Sequence, residues 1–198
     1  MNVDWYNLLL SGISALIGST VTLVAVYLSH RWDVSKQKEQ DARTLMGVLQ
    51  ALHDEIETLW DLYMDGIGHE LEALPNGHGL RIYYPVTQEY FTIYTTNALF
   101  IGRIRDNHLR KLIVSAYSKA RGLIDSYRLN NDLLQKHEHA HWLFLQTNNP
   151  VHQAAATGYL QALINYASTL KRLHDDVKSQ AQDLLRALRK EGVLKKHS

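Results

Sequence analysis

The sequence predicts an all-α protein: one N-terminal transmembrane helix followed by a cytoplasmic antiparallel helical bundle. Two observations predict it. Residues Leu8 to Leu28 run without a single charge. Most of the remaining chain repeats apolar residues at alternating threes and fours, the period of one helix face.

The apolar run comes first. At 1.5 Å per helical residue it covers roughly 32 Å, about the thickness of a hydrocarbon core. Trp5 and Tyr6 stand before it, and Tyr27 and Trp32 stand at its far end. Amphipathic rings favour the headgroup layer at such positions. A secretory signal peptide would carry positive charge before a shorter run. Here Asp4 precedes it, whereas Arg31, Lys36 and Lys38 follow. The positive-inside rule then places the N-terminus outside and the rest in the cytoplasm of a bacterial inner membrane. The absence of cysteine agrees with a reducing compartment. This gives an anchor at 1–30 and a helical domain at 31–198, with the lipid bilayer as a partner. Within the run, Ser11, Ala15, Ser19 and Thr22, and likewise Ser14, Gly18 and Thr22, put small residues on one face. Such faces allow close helix approach in lipid, so a homo-oligomer is expected.

After the anchor, Ala42, Leu45, Leu49, Leu52, Ile56, Leu59 and Tyr63 form a seam, and Gly66 and Gly68 are expected to end the helix. Residues 74–86 read as a loop, with turn residues at Pro75–Gly79 and Pro85 forcing Tyr84 out of the helical region. Helix is expected again from Thr87, with a pause at Gly102–Asn107 and a restart capped by Asp106 or Asn107. Leu109, Leu112, Ile113, Ala116, Ala120, Leu123 and Tyr127 supply its core face. Asn149-Pro150 starts a last helix that runs to about Lys190 and stops at Gly192. Leu163, Ala167, Leu170, Val177, Ala181, Leu184 and Leu188 form its seam, with His174 in the slot between Leu170 and Val177.

A formal net charge of +1 conceals polarity. Residues 39–76 carry nine acids and one base, a net of −8. Residues 77–130 carry eight bases and three acids, a net of +5, and residues 171–198 eight bases and four acids, a net of +4. Acidic and basic helices can cancel by packing together. The basic stretch also holds Tyr90, Tyr94 and Tyr117, besides Arg103, Arg105, Arg110, Lys111, Asn97 and His108. Guanidinium and ammonium groups meet phosphates, aromatic faces stack on bases, and amides read base edges. Too few charges are present for duplex DNA. A small polyanionic nucleotide held between subunits is within reach. The competing reading makes these tyrosines core and pairs the bases with the acidic helix.

Catalytic patterns are sparse. His137-Glu138-His139-Ala140-His141 satisfies H-E-x-x-H, whose histidines could share a zinc on one helix face while Glu138 activates water. A third ligand has no position that spacing justifies, and eleven histidines raise the chance of an accidental match. There is no cysteine, no G-x-S-x-G and no phosphate-cradling glycine loop. The expectation is therefore a non-enzyme without a cofactor. A zinc hydrolase is the third reading, and a scaffold or phage-exclusion factor working through protein contacts is the second.

The run Tyr90-Phe91-Thr92-Ile93-Tyr94-Thr95-Thr96-Asn97-Ala98-Leu99-Phe100-Ile101-Gly102-Arg103-Ile104-Arg105-Asp106-Asn107-His108-Leu109, followed by Ile113-Val114-Ser115-Ala116-Tyr117, resembles a pattern in small bacterial single-span membrane proteins with a helical cytoplasmic domain. In layout the chain is similar to the minimal membrane effectors of type III CRISPR antiviral defence. That resemblance implies cyclic oligoadenylate as ligand and the membrane span as output. The leading expectation is thus a ligand-gated membrane effector, with Arg103, Arg105, Arg110 and Lys111 on the phosphates and Tyr90, Tyr94 or Tyr117 on the bases.

Overall fold

The computed structural model describes the backbone of residues 5–86 and 90–193, and the side chains of residues 22–86 and 90–193. Among the described residues every regular element is helical and no strand occurs: α1 (Trp5–Tyr63), α2 (His69–Ala73), α3 (Thr92–Thr96), α4 (Ala98–Gly102), α5 (Asn107–Thr147) and α6 (Pro150–Lys190). The chain divides into two units, residues 1–46 and residues 47–198.

The first unit is helical from Trp5 onward. From Thr22 to Thr44 every side chain is exposed. Local pairs tie described residues of this unit, with Glu39 accepting from Arg43 at 2.6 Å and Arg31 lying 6.0 Å over the Tyr27 ring. The expected N-terminal transmembrane helix is corrected here. Among the described residues no helix is long and apolar enough to cross a membrane. The side chains of Trp5 and Tyr6, and of the small residues from Ser11 to Ser19, lie outside the described residues.

In the second unit the C-terminal part of α1, from Gly47 to Tyr63, buries Val48, Leu49, Leu52 and Ile56. The helix does not stop at Gly66 or Gly68. It passes through a π-helical turn, Met64–Gly68, in which the His69 amide donates to the Met64 carbonyl, and continues as α2. The wider turn accommodates one more residue and rotates the face that follows. Ile67 and Leu71 thereby become core, and Glu72 meets α6.

The chain then crosses back over α5 and α6 without regular structure. Gly77, at φ +79, makes the turn, and Leu80 plugs into the core. Asn131 serves Tyr84 as a sheet partner would. Its amide donates to the Tyr84 carbonyl at 2.7 Å, and its oxygen accepts from the Tyr84 amide at 3.2 Å. Helix resumes at Thr92. Residues 87–89, where its start was expected, lie outside the described residues.

The two longest helices of this unit are capped as the sequence predicts. Asp106 accepts from the amides of His108 and Leu109, and Asn149 accepts from the Val151 amide with Pro150 in the first turn. Asn148, in the left-handed region at φ 50, makes the tight turn that folds α5 and α6 into an antiparallel hairpin. Leu163, Ala167, Leu170, Val177, Ala181, Leu184 and Leu188 are all buried along it. The end of α1 runs antiparallel to α6, as Arg189 reaches His53 and Glu57 while His174 meets Tyr63.

Candidate functional site

Where the wide turn after α1 and the returning segment approach α5 and α6, the second unit forms a half-open cavity of about 340 Å³. Six aromatic rings line it: Trp60, Tyr63, Tyr84, Tyr90, Phe91 and Tyr127. Ala116 and Ala120 on α5 and Ala181 on α6 are short side chains on the same wall, which leaves room between the helices. Gly66 sits in the wall as well; a Cβ there would meet the Tyr84 ring at 3.3 Å.

A chain of hydrogen bonds ends at this wall. The Tyr127 and Tyr63 hydroxyls are 3.0 Å apart, Tyr63 is 2.7 Å from Nδ1 of His174, and Nε2 of His174 is 3.1 Å from Glu72. Lys178 donates to the same Glu72 oxygen at 2.7 Å. The Lys178 ammonium, and then His174, hold the Glu72 carboxyl down at about 2, so it is a carboxylate and only accepts. Nε2 of His174 therefore donates; with the ring in its neutral form, Nδ1 accepts from Tyr63, and Tyr63 in turn accepts from Tyr127. The proton of each hydroxyl is committed along the chain. What these two hydroxyls have left to offer is oxygen lone pairs.

Burial, reinforced by Tyr127, pushes the Tyr63 hydroxyl far above its usual range. Tyr127 is pushed up to about 12 by burial, and Tyr84 to about 12 by burial and by Tyr90. All three phenols are neutral at physiological pH, so the wall is polar only through its dipoles. Trp60 packs on both Tyr63 and His174, with ring centroids 5.4 and 5.7 Å away, and closes the chain off on one side.

Comparison with known protein families, with curated proteins and with solved structures finds no match for this chain.

The residues singled out in the sequence separate into two groups. Arg103, Arg105, His108 and Lys111 are exposed at the turn before α5 and on its first turn. Arg110, beside them, is spent on the Ile104 carbonyl and the Asn107 side chain, both at 2.7 Å. Asn97 donates to the Ile93 carbonyl at 2.9 Å. The aromatic members lie inward instead. Tyr90 lines the cavity. Tyr94 stacks on Tyr117, centroids 4.1 Å apart at 13°, and Tyr117 is 1% exposed, so its ring is not open to a base. Arg121 covers the outer side of this stack, 5.8 Å over Tyr94 and 6.0 Å over Phe91.

His137 and His141 share a face of α5, with ring centroids 6.1 Å apart. The Glu138 carboxylate accepts from the Tyr83 hydroxyl at 2.8 Å. Among the described residues no three of His, Cys, Asp and Glu gather to hold a metal, so the zinc-hydrolase reading lacks its third ligand. Trp60, Tyr63, Glu72, Tyr127 and Lys178 were not singled out as site residues. The one sequence signal toward them is His174, a histidine in a slot where a heptad seam wants an apolar residue.

Proposed function

We propose that residues 47–198 form a binding module for a small, largely apolar ring compound carrying an N–H or O–H donor. The observation that carries this reading is the aromatic cavity of about 340 Å³ with the Tyr127–Tyr63–His174–Glu72 chain at its wall. Its size and its few polar groups are those of a small-molecule site. Ring faces supply contact area, and phenol lone pairs select a donor and fix its direction. Binding rather than turnover is the reading, because Tyr63 keeps its proton and acts as a donor to His174 rather than as a nucleophile.

The test is a thermal-shift comparison on the full chain between matched rings, indole against N-methylindole and phenol against anisole. A ligand at 100 times its dissociation constant adds about 2.7 kcal/mol of stability, a readily measured rise in melting temperature. We expect the donor-bearing member of a pair to give the larger shift, and Tyr63→Phe to erase that difference. Equal shifts within both pairs, or none at all, would refute the reading.

A second reading rests on Arg103, Arg105 and Lys111. These are exposed and carry no ion pair among the described residues, as a site for a polyanionic nucleotide such as cyclic oligoadenylate requires. It predicts that Arg103→Glu with Arg105→Glu abolishes nucleotide binding while the melting temperature holds.

A further inference from the structure

We propose that His137 and His141 form a two-imidazole chelate for a late first-row divalent cation, copper(II) being the one it holds best. Residues four apart on a helix lie one above the other, so both rings project from the same face of α5. They lie nearly parallel, 18° apart with centroids at 6.1 Å. The Nδ1 of His137 is 2.9 Å from the Ala156 carbonyl on α6. A carbonyl only accepts, so Nδ1 carries the proton and the Nε2 lone pair is left free.

That arrangement matters because a metal-binding histidine characteristically gives its other N–H to a carbonyl or carboxylate, which fixes ring and tautomer together. Here the anchor comes from the partner helix of the hairpin, so the His137 ring is held by tertiary structure. His141, one turn on, is exposed and makes no hydrogen bond or ion pair among the described residues. Glu138 does not compete, because Tyr83 holds its carboxylate. His139 stacks on Trp142 instead, with centroids 6.4 Å apart.

No third side chain joins the pair among the described residues, so the remaining coordination positions fall to water. An open site of two imidazoles does not suit structural zinc, which closes its shell with four protein ligands. It suits a cation that gains most from two nitrogen donors, and among first-row divalent ions that is copper(II).

The test titrates the full chain with copper(II) chloride, followed by calorimetry and by electron paramagnetic resonance. One copper per chain with two equatorial imidazole nitrogens is expected at the tightest site. His141→Ala, an exposed position whose replacement leaves the fold intact, should remove that site, and so should His137→Ala. His139→Ala, one residue from each ligand's neighbour, should leave it unchanged. A tightest site that survives His141→Ala, or that disappears equally in His139→Ala, would overturn the assignment.

Discussion

The Glu55 carboxylate on α1 accepts the Tyr117 hydroxyl from α5 at 2.7 Å while its two oxygens also cap α3, taking the Ile93 amide at 2.7 Å and the Tyr94 amide at 3.1 Å. One side chain thus satisfies three donors on two other elements. It also explains Phe91. That residue is held in the left-handed region at φ 73, and α3 has no cap of its own. The backbone turns sharply there so that the first amides of α3 face Glu55, and the Phe91 side chain enters the core at 6% exposure.

Removing Glu55 should therefore cost more than removing its phenol partner. Tyr117→Phe deletes one hydrogen bond and keeps the ring stacked on Tyr94, a loss of about 1 kcal/mol. Glu55→Ala strands two amides and a buried hydroxyl, a loss of about 3 kcal/mol. The double variant should lose less than the sum, because the two changes remove the same bond. Urea unfolding of the four proteins checks this, and a strictly additive cycle would show the bond to be energetically idle.

Much of the long-helix framework was legible in the sequence, because it depends on neighbours in sequence. Asp106 and Asn149-Pro150 mark helix starts through bonds two and three residues away. The α6 seam emerges buried at each of its seven apolar positions. The site was not legible, for the opposite reason. Tyr63 meets Tyr127 across 64 residues and His174 across 111. No local pattern distinguishes a tyrosine destined for a cavity wall from one exposed to a ligand. Hence Tyr117, read as a stacking platform, is packed under Tyr94. The π-helical turn at 64–68 hid for a similar reason. Gly66 and Gly68 are stop signals by composition, yet Gly68 is pressed against the Tyr63 and Met64 side chains, where a Cβ would sit 2.5 Å from the Met64 sulfur. Close packing, not chain reversal, is the role of Gly68.

Acid should loosen the joint between α2 and α6 before the rest. The Glu72 carboxyl falls from an ordinary 4.5 to about 2 through Lys178 and then His174. A carboxyl depressed on folding contributes stability that is complete above 4.5 and is lost as pH falls toward 2. Glu72 is solvent-exposed, so the effect is small. Glu72→Gln should flatten the acid limb of a stability–pH curve between pH 5 and 3, measured by urea midpoint. The same slope in wild type and variant would remove Glu72 from the account.

Alkali acts on the tyrosines with the opposite sign. Burial raises Tyr84 and Tyr127 from 10.0 to about 12, and pushes Tyr63 and Tyr117 higher still. A group whose pKa is raised on folding contributes stability that is present below 10 and lost as pH rises through its folded value. Phenolate absorbance should therefore rise in two stages. These four ionise late, together with loss of helical circular dichroism, in a stage separate from that of an ordinary water-exposed phenol near pH 10. A single stage near pH 10 with the helix signal unchanged would mean that the cavity wall is open to water.

Gly79 lies at the closest approach between the returning segment and α6. A Cβ there would stand 2.9 Å from the Leu163 Cβ and 3.1 Å from both the Leu163 carbonyl carbon and the Ile164 amide nitrogen. Two of these atoms are helix backbone and cannot swing aside as the end of a side chain could. Gly79→Ala must push the segment off the helix, which also drags on Leu80 and its carbonyl's bond from Asn130 at 3.2 Å. The cost of such overpacking is about 1 to 3 kcal/mol. Gly122 offers the converse, since it sits mid-α5 on an exposed turn with nothing within 4 Å of a built Cβ. Gly122→Ala should stabilise by about 0.5 to 1 kcal/mol through helix propensity alone. Thermal melts of the two variants beside wild type should move in opposite directions. A Gly79→Ala protein that melts with wild type would show that residues 74–86 ride loosely on α6.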